Sequence, residues 1–479
     1  MDSDIRPLYI NGQWRTTDET DTIINPWDGA PAGRLFRGNA AEMEDAIAAA
    51  YGAREPFRAL TDAARGEAQD KIHGGLSDRA EEIAQTITLE SGKPIRDARA
   101  EVARAVHTFQ IAAEEARRFG QGEQIPLDRT ETSKGRIGIT RRFPCGVVGA
   151  ITPFNFPLNL VAHKVAPALA VGAPVVLKPA HQTPLTALLL AEVIADAGLP
   201  SGAFNVVHTE PALGERLALD PRIAALSFTG SAKIGWELKA KANRKRVTLE
   251  LGGNAATIVH EDTDLSAAVP KCVASAFAYA GQICISTQRI LIHRPIFEEF
   301  TQQFLTQSRG LLLGDPRLDA TNLGPIINEA GGLRILEWVR EALDGGARLL
   351  LGDIAPADPR RIAPIVLTDT NPEMKVEREE IFGPVATLTP YDDFEEALDK
   401  VNASDYGLQT GVYTNDIHRI YRAFERLEVG GVIAGDTPSY RVDHMPYGGV
   451  KGSGFGREGV RYAMDEMSEL RLLALNLSK

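Results

Sequence analysis

The stretch Val147-Val148-Gly149-Ala150-Ile151 decides the fold, because it is a short apolar run directly preceded by Gly146. Runs of this kind, bounded by Gly or Pro, are typical of parallel strands that are buried on both faces. Three similar runs follow it: Pro174-Val175-Val176-Leu177, Phe204-Asn205-Val206-Val207 and Ala225-Leu226-Ser227-Phe228. Helical patterns separate the runs, notably residues 183–197, which are followed by the stop signals Gly198 and Pro200. This alternation predicts a doubly wound parallel α/β sheet.

A second alternating block follows Gly252 and extends to about Gly430. It opens with a predicted helix at residues 265–279, then a strand at 289–293 and a helix at 295–308. We predict a separate α/β domain whose first helix delivers Cys284 to the loop at its end. Residues 40–120 are rich in alanine and amphipathic, which predicts helices.

Length and composition favour a soluble globular enzyme or binding protein. A chain of 479 residues predicts two or three domains, and 44% hydrophobic with 24% charged residues is ordinary for a globular protein. The 52 basic and 64 acidic residues give a formal charge of −12, which argues against a nucleic-acid surface. We expect small molecules and other copies of the chain as partners.

The cysteines and histidines bear on the compartment and on metals. The chain has three cysteines, Cys145, Cys272 and Cys284, without a CxxC pair, which favours a reducing compartment. The nine histidines are scattered and form no HExxH motif, so we expect no metal. Residues 1–4 open acidic, which predicts no signal peptide, and no apolar run approaches the ~20 residues that span a bilayer. A cytoplasmic protein without a membrane partner is predicted.

Cys284 is the candidate nucleophile, in Phe277-Ala278-Tyr279-Ala280-Gly281-Gln282-Ile283-Cys284-Ile285-Ser286. A thiol attacks only as thiolate, and a helix-end loop rich in Gly and amide groups is expected to lower its pKa or to hold the charge of its product. The alternative is a buried structural cysteine, which suits Cys145 and Cys272 in their apolar patterns.

Two polar residues lie where a thiol enzyme needs a base and a hydrogen-bond donor. Glu250 follows the predicted strand 246–249 and precedes Gly252-Gly253, so its carboxylate faces the crevice at the end of the sheet. Asn155 lies in Pro153-Phe154-Asn155-Phe156-Pro157, where the prolines hold its amide in a fixed place. The alternatives are a solvated loop acid and an Asn that stabilises its own turn.

A nucleotide-binding turn is predicted at Phe228-Thr229-Gly230-Ser231, which ends a strand and opens a helix through Gly235. Such a turn directs backbone N–H groups at a pyrophosphate. The literal GxGxxG at residues 454–459 is not a dinucleotide-binding motif, because too few residues follow it to complete a βαβ unit. We predict a turn there, near a subunit contact.

The order of the Asn155 loop, Glu250-Leu251-Gly252-Gly253, the Cys284 loop and Glu380-Ile381-Phe382-Gly383-Pro384 resembles that of the aldehyde dehydrogenase superfamily. The resemblance covers residues 9–451, and the details are most similar to the lactaldehyde dehydrogenase-like branch. It implies a Rossmann-like cofactor domain (residues 1–123 and 143–251), a catalytic domain (252–440) and a β flap (124–142 and 462–479). The flap would complete a neighbouring subunit's sheet in a homodimer or homotetramer.

The resemblance also implies roles for individual residues. Cys284 adds to an aldehyde, Asn155 and the Cys284 N–H hold the oxyanion, and Glu250 activates water against the thioester after hydride transfer to NAD or NADP. Residues implied to bind the cofactor are Thr152, Pro153, Lys178, His181, Phe228, Gly230, Ser231, Glu380 and Phe382. His181 stands where NAD-preferring members often have an acid, so nothing repels a 2′-phosphate and NADP should be accepted. The resembling family often has Trp at the position of Phe154 and usually has Asn at the position of Gly435, so this chain differs from the family at both.

Three alternatives to this function remain open. The chain could pass its acyl group to coenzyme A, although the presence of Glu250 favours hydrolysis. It could be a catalytically silent binding protein on the same fold. It could also be a papain-like thiol hydrolase that pairs Cys284 with His163, which would leave the nucleotide-binding turn unexplained.

Arg104 is the candidate substrate anchor, because it lies in a segment that lines the substrate tunnel of the resembling family. Its guanidinium would pair with an anionic group of a short polar aldehyde. The alternative is a helix-surface arginine that pairs with Glu101 or Glu114.

Overall fold

Two large sheets, one of eight strands and one of seven, frame the protein in the computed structural model, which describes residues 5–477. The predicted acidic opening at residues 1–4 and the last two residues of the predicted flap, 478–479, lie outside the described residues. The predicted fold class, α/β with a Rossmann-like doubly wound cofactor domain, an α/β catalytic domain and a small β flap, is confirmed. No helix among residues 5–477 is long and apolar enough to cross a membrane.

The helices of the described residues follow in chain order. They are α1 (Ala40–Arg58), α2 (Asp62–Asp78), α3 (Ala80–Ser91), α4 (Ile95–Arg118), α5 (Asn159–Val171), α6 (Leu185–Ala195), α7 (Glu215–Leu219), α8 (Ala232–Lys241), α9 (Leu265–Phe277), α10 (Phe297–Arg309), α11 (Glu329–Asp344), α12 (Lys375–Arg378), α13 (Phe394–Asn402), α14 (Ile417–Arg426) and α15 (Val460–Glu466).

The strands follow in the same way. They are β1 (Ile5–Arg6), β2 (Leu8–Ile10), β3 (Gln13–Arg15), β4 (Glu19–Ile24), β5 (Pro31–Arg37), β6 (Gln124–Pro126), β7 (Arg136–Pro144), β8 (Val147–Ile151), β9 (Val175–Lys178), β10 (Phe204–Val206), β11 (Ile223–Thr229), β12 (Arg246–Glu250), β13 (Ala256–Val259), β14 (Arg289–His293), β15 (Arg348–Leu351), β16 (Ile365–Thr368), β17 (Val385–Tyr391), β18 (Tyr406–Gly407), β19 (Gln409–Tyr413), β20 (Gly431–Ala434), β21 (Val450–Lys451), β22 (Gly454–Phe455) and β23 (Ser468–Asn476).

The first sheet has the strand order β22-β12-β11-β8-β9-β10-β2-β3, and its five central strands are parallel. Val148 and Ala150 of β8 belong to the core that the sheet shares with α2 to α6. Val147 and Ile151 belong to the core on the other face, with α1, α7 and α8. Because both faces are buried, the strand is an apolar run rather than an alternating pattern.

The second sheet has the order β15-β16-β17-β14-β13-β19-β20, and all its neighbours except β15 are parallel. The chain passes from β12 to β13 through residues 251–255 alone. The carboxyl ends of the first sheet therefore face the amino ends of the second, and a cleft lies between them. Parallel α/β sheets bind their ligands at such carboxyl ends.

The third sheet has the order β23-β7-β6, and β23 pairs with β7 antiparallel over nine residues, from Ser468 opposite Pro144 to Asn476 opposite Arg136. The β flap implied for residues 124–142 and 462–479 agrees with this pairing, since it contains β6, most of β7 and all of β23. The domain boundaries at residues 123, 142, 251 and 440 stay predictions.

Two local predictions were wrong. The helix predicted to reach residue 279 ends at Phe277, where the chain enters a left-handed turn. The GxGxxG segment, predicted to be only a turn, begins with β22, which pairs antiparallel with β12 at the edge of the first sheet. A two-residue strand has too little sequence pattern to be recognised.

The buried acid Glu101 yields a test of the first core. Glu101 of α4 is 1% exposed, forms an ion pair with buried Lys93, and accepts hydrogen bonds from the N–H groups of Leu158 and Asn159 where α5 begins. Glu101→Ala leaves the Lys93 charge and both donors unpaired. We expect it to lower the free energy of unfolding by about 3–5 kcal/mol in denaturant titrations.

The exposed Glu114, on the same helix, is the matched control. Glu114→Ala should change the free energy of unfolding by no more than about 0.5 kcal/mol. Equal effects of the two substitutions would contradict the capping and pairing role of Glu101.

Candidate active site

A cavity of about 400 Å³ lies in the cleft between the two sheets. Loops from both sheets supply its walls, because the first sheet ends here and the second begins here. The cavity is lined by Pro153, Phe154, Asn155, Leu160, Thr229, Gly230, Ser231, Glu250, Leu251, Gly252, Cys284, Arg334, Glu380 and Phe382. The structure thus brings the predicted thiol, acid and amide donor together with most of the predicted cofactor residues.

The Cys284 loop is held in an uncommon backbone conformation. Tyr279, Ala280 and Gly281 all have positive φ values, of 48°, 52° and 71°. Non-glycine residues rarely adopt this region, and they persist there only where surrounding contacts fix them. A Cβ on Gly281 would lie 2.1 Å from the Gly383 oxygen, so this position requires glycine.

Gln282 supplies the contacts that fix the loop. Its Nε2 donates to the carbonyl oxygens of Tyr279 and Pro325, at 3.3 Å and 3.2 Å, and its Oε1 accepts from the Ile327 N–H at 2.9 Å. The side chain is fully buried. The glutamine two positions before Cys284 is therefore a structural clamp for the nucleophile loop.

The Cys284 thiol is protonated at neutral pH. Its Sγ lies 3.2 Å from the Tyr447 hydroxyl. Burial raises the pKa of Cys284 to about 11, which the Tyr447 hydrogen bond opposes and the Glu380 charge reinforces. The expectation that the loop lowers this pKa was wrong, because desolvation outweighs the hydrogen bond. The thiol therefore needs a proton acceptor when it attacks.

Glu250 is a buried carboxyl group without a hydrogen-bond partner. It is 2% exposed, and neither of its carboxylate oxygens has a partner among the described residues. Burial, and then the Glu458 charge, raise the pKa of Glu250 well above its ordinary value, while Arg441 and Lys164 oppose the rise. An unpaired buried acid costs stability, and such groups concentrate at functional sites.

Glu458 is the acid that keeps the negative charge. Burial alone would raise its pKa, but Lys164, whose Nζ lies 2.8 Å from Oε1, and Arg441, at 3.1 Å from Oε2, hold the pKa of Glu458 at about 2. Two nearby carboxyl groups do not both ionise at low cost. Glu458 therefore ionises more readily than Glu250.

Asn155 connects the first sheet to the Cys284 loop. It is 3% exposed, and its Nδ2 donates to the Gln282 carbonyl oxygen at 2.9 Å. This bond spans 127 residues of sequence, so the alternative of an Asn that stabilises its own turn is wrong. The amide has a second hydrogen that remains for a substrate oxygen.

Glu380 and Phe382 close the cavity from the second sheet. The Glu380 Oε1 accepts from the Gly253 N–H at 3.0 Å, and burial raises the pKa of Glu380 to about 7 against the effects of that bond and of Arg334. The Phe382 ring meets Phe154 edge to face, with centroids 5.9 Å apart.

A second cavity, of about 330 Å³, is lined in part by Ile151, Lys178, Gly214 and Phe228. Gly230, which lines the thiol cavity, precedes α8, whose N-cap Ser231 makes no side-chain cap bond. The N–H groups at this helix start therefore remain for an anion. A dinucleotide fits this arrangement, with an apolar cavity at one end and the thiol cavity at the other.

Lys178, Thr152 and His181 lie at the carboxyl ends of neighbouring strands. Burial lowers the pKa of Lys178 to about 8, and the buried Thr152 donates its N–H to the Lys178 carbonyl oxygen at 3.3 Å. His181 stacks on His208, with centroids 5.1 Å apart, and its Nδ1 is buried without a partner. His181 is not among the residues that line the 330 Å³ cavity.

Arg104 binds an acid that the sequence did not suggest. Its Nη2 donates to the Asp443 Oδ1 at 2.7 Å, and its Nε is buried without a partner. The predicted alternative partners, Glu101 and Glu114, were wrong, since Glu101 pairs with Lys93. The thiol hydrolase alternative was also wrong, because the His163 Nε2 lies 2.9 Å from Asp443 Oδ1 whereas Cys284 contacts Tyr447.

Sequence reasoning missed Arg441 and Tyr447. The Arg441 guanidinium lies 3.6 Å from the centroid of the Tyr447 ring, and its Nε is buried without a partner. Its positive charge lowers the pKa values of both Cys284 and Glu250. The sequence signal that could have identified them is the presence of an arginine and a tyrosine in the short polar segment 441–447.

The histidines were wrongly predicted to be scattered. Within residues 5–477, the fold gathers two groups that offer metal-ligating atoms, Asp21 with His181 and His208, and His260 with Glu261 and His293. Sequence spacing does not reveal groups that come from the ends of different strands.

Comparison with known proteins decides the family. The family model described as "Aldehyde dehydrogenase family" matches residues 14–473. The chain belongs to the aldehyde dehydrogenase family. The predicted resemblance, enzyme class and activity, oxidation of an aldehyde with a nicotinamide cofactor, are thereby confirmed.

Relatives at full length support this assignment. The chain is 44% identical to a 3-sulfolactaldehyde dehydrogenase of Priestia aryabhattai, over 98% of both chains, and 36% identical to a lactaldehyde dehydrogenase of Methanococcus vannielii, over 98% of this chain and 100% of the other. Aldehyde dehydrogenase 21 of Physcomitrella patens, solved with its reaction product succinate, aligns with a TM-score of 0.97 at 42% identity over 99% of both chains. A glyceraldehyde-3-phosphate dehydrogenase of Methanocaldococcus jannaschii, solved with NADP, aligns with a TM-score of 0.92 at 36% identity, covering 96% of this chain and 100% of the other.

The contact between Tyr447 and Cys284 yields a prediction for the thiol of this aldehyde dehydrogenase. Tyr447→Phe removes the hydrogen bond that lowers the pKa of Cys284. Thiol alkylation at a fixed alkaline pH should slow by about tenfold, the worth of one hydrogen bond to a charged group. Tyr440→Phe, at an exposed tyrosine nearby in sequence, is the control and should leave the rate unchanged. An unaltered pH profile in Tyr447→Phe would contradict the role of the hydroxyl.

Proposed function

We propose that this aldehyde dehydrogenase oxidises a short aldehyde with an anionic group to the acid, through a thioester on Cys284, and releases the acid by hydrolysis. The observation that carries the proposal is the unpartnered, buried carboxyl group of Glu250 in the same cavity as the thiol. A base must be free of other partners to accept a proton from its substrate or from water.

The residues divide the chemistry between them. Cys284 adds to the aldehyde carbon as Glu250, in its ionised form, accepts the thiol proton. Asn155 and the Cys284 backbone N–H donate to the oxygen that becomes negative. When bound, the nicotinamide dinucleotide supplies the hydride acceptor. Glu250 passes the thiol proton to solvent and then accepts a proton from the water that attacks the thioester carbon. The carbon–sulfur bond breaks, the acid leaves, and the Cys284 thiolate takes that proton from Glu250.

NAD or NADP would be held along the carboxyl edge of the first sheet. Thr152 and Pro153 follow β8, Lys178 ends β9 and His181 follows it. Phe228 lies near the end of β11, and Gly230 and Ser231 follow that strand. The N–H groups before α8 suit the pyrophosphate, and Lys178 suits the adenosine ribose. Glu380 and Phe382 bound the thiol cavity, where the nicotinamide and its ribose would lie.

The anionic substrate class follows from two arginines. Arg104 and Arg441 each have a buried Nε without a partner, and both act on the pair of His163 and Asp443: Arg104 binds Asp443, and the Arg441 charge lowers the pKa of His163. An anion on the substrate would satisfy such a donor. The names of the relatives point the same way, since sulfolactaldehyde carries a sulfonate, glyceraldehyde 3-phosphate a phosphate, and succinate a second carboxylate.

The proposal extends to assembly and compartment. Four leucines of the third sheet and its end, Leu470, Leu472, Leu473 and Leu477, are more than half exposed, which favours burial against another copy in a homodimer or homotetramer. Free thiols at all three cysteines favour the cytoplasm.

The first prediction separates the roles of base and nucleophile. Glu250→Gln can accept a proton neither from the Cys284 thiol nor from water, so the first burst of reduced cofactor should be slowed and the turnover that follows should fall by about 10²–10⁴-fold. Because the pKa of Glu250 is raised, its base form grows as pH rises through that value. The wild-type kcat should therefore rise with pH toward the alkaline side, and this rise should disappear in the variant.

The control is Cys284→Ala, which should show neither burst nor turnover while binding the cofactor normally. Wild-type turnover in Glu250→Gln would remove the base role. Acceleration of the wild type by coenzyme A would favour the acylating alternative, and no turnover of any aldehyde would favour the silent binding protein.

The second prediction concerns cofactor choice. Wild type should use NADP at least comparably with NAD, because His181 replaces a repelling acid. His181→Glu should lower the NADP to NAD ratio of kcat/KM by at least about tenfold, or 1.4 kcal/mol. The exposed His107 provides the control His107→Glu. A wild-type preference for NAD above about a hundredfold would contradict the argument.

The third prediction concerns substrate charge. Arg104→Leu should lower kcat/KM for an anionic short aldehyde by about 10–100-fold, the worth of one charged hydrogen bond, and leave a neutral aldehyde of similar size unaffected. Arg99→Leu, an exposed arginine on α4 that pairs with Glu81, is the control. Equal losses for both aldehydes would reject the anchor, and a neutral aldehyde preferred by wild type would reject the anionic class.

A further inference from the structure

A group of histidines lies at the end of the second sheet away from the thiol. His260 directly follows β13, His293 ends β14 and Tyr391 ends β17, so all three lie at the carboxyl edge of adjacent strands. Cys284 precedes β14, at the amino edge. The group is thus separated from the thiol by the length of a strand and has no part in the chemistry proposed above.

The geometry brings three ligand atoms together. One nitrogen of His260, one of His293 and one carboxylate oxygen of Glu261 all lie within 4.8 Å of one another. The two rings are face to face, with centroids 4.3 Å apart. The His293 Nδ1 is buried without a hydrogen-bond partner and lies 3.7 Å from the Glu261 Oε2. A cation between the His293 Nδ1 and the Glu261 carboxylate would bind both groups as ligands.

The surrounding charges favour a cation. The acids at this edge are Glu261, Asp262 and Asp392. The bases are Arg419, which lies 3.5 Å from Asp262 and whose charge also acts on His260, Arg294, which pairs with Asp392, and Lys400, whose charge acts on Asp392. Glu261 is thus the acid that no arginine pairs with in this group. The Asp262 Oδ1 adds a second buried oxygen without a partner beside it.

The other histidine group, Asp21 with His181 and His208, lies among positive charges. Its carboxylate already binds His208 at 2.8 Å and Arg37 at 3.3 Å, and the Lys178 charge acts on His208. This excess of positive charge disfavours a metal ion there.

We propose that His260, His293 and Glu261 bind one divalent transition-metal ion of the zinc class, contrary to the sequence-based expectation of no metal. Two imidazoles and one carboxylate are ligands that zinc prefers, and water completes the tetrahedron. Ligand atoms around zinc lie about 3.3 Å apart, so these atoms must approach by up to about 1.5 Å. The nitrogen ligands disfavour Mg²⁺ and Ca²⁺, which prefer oxygen.

The side chains allow this approach. His260 is fixed by a 2.8 Å hydrogen bond between its Nδ1 and the Tyr391 hydroxyl, which orients the ring and leaves its other nitrogen for a ligand. His293 has one long contact, 3.3 Å, to the Asp392 carbonyl oxygen, and Glu261 is 51% exposed. Both can turn toward His260. The ion would then tie the ends of β13 and β14 together.

The test is equilibrium dialysis of the full chain against Zn²⁺ alone, in a Cys284→Ala background so that the reactive thiol does not bind the ion. We expect one Zn²⁺ per chain, a rise in Tm on binding, and no displacement by Mg²⁺. Glu261→Gln and His293→Gln should each weaken binding at least about tenfold. His181→Gln, in the other histidine group, is the matched control and should bind normally.

Glu261 is half exposed, so Glu261→Gln should keep the metal-free Tm, and it decides the test if His293→Gln folds poorly. Unchanged affinity in Glu261→Gln, loss of binding in His181→Gln instead, or no bound Zn²⁺ in the parent would each overturn the proposal. Binding by the parent with selective loss in the two ligand variants supports it.

Discussion

The close approach of two glycines to the reacting groups is the constraint on which the site depends. A Cβ on Gly252 would lie 2.2 Å from the Glu380 Oε2, and one on Gly253 would lie 2.3 Å from the Cys284 carbonyl oxygen. Only residues without a Cβ let the link between β12 and β13 pass between these groups. Glu250 belongs to the first sheet and Cys284 to the second, so this link sets the distance between acid and thiol. A side chain at Gly253 would force the Cys284 backbone away, and one at Gly252 would displace the Glu380 carboxylate.

The buried positive charges of the site stabilise one acid, Glu458, more than they stabilise Glu250 or the Cys284 thiolate. This difference determines how the thiol reacts. Lys164 and Arg441 stabilise ionised Glu458, whereas burial raises the pKa values of Glu250 and Cys284. For Cys284, a pKa of about 11 against an ordinary 9.0 corresponds to roughly 3 kcal/mol for forming the thiolate in place. The attack is therefore best served by proton transfer to a neighbouring base as the carbon–sulfur bond forms, and Glu250 is the nearby group without a competing partner.

Much of the frame was predictable, because buried parallel strands and helix periods are local signals. The strand at residues 147–151 and the position of Cys284 after a helix need no distant information. The groups that tune the site are not local. Arg441, Tyr447 and Glu458 come from a segment that returns to the first sheet after the second is complete, and their effect on Cys284 depends on desolvation, which a single sequence does not encode. Family resemblance located the reactive groups, but it gave no sign that the thiol pKa would be raised.

The two arginines near the site are not equivalent as anchors for a substrate anion. Arg441 lowers the pKa values of Cys284 and Glu250, so an anion that paired with it would withdraw positive charge from both and make the thiolate and the ionised base harder to form. Arg104 pairs with Asp443 and has no such task. An anion held by Arg104 leaves the field at the thiol intact. A contact between the substrate anion and Arg104 therefore orients the aldehyde without opposing the reaction. The same contact with Arg441 would increase substrate affinity but slow the attack of the thiol.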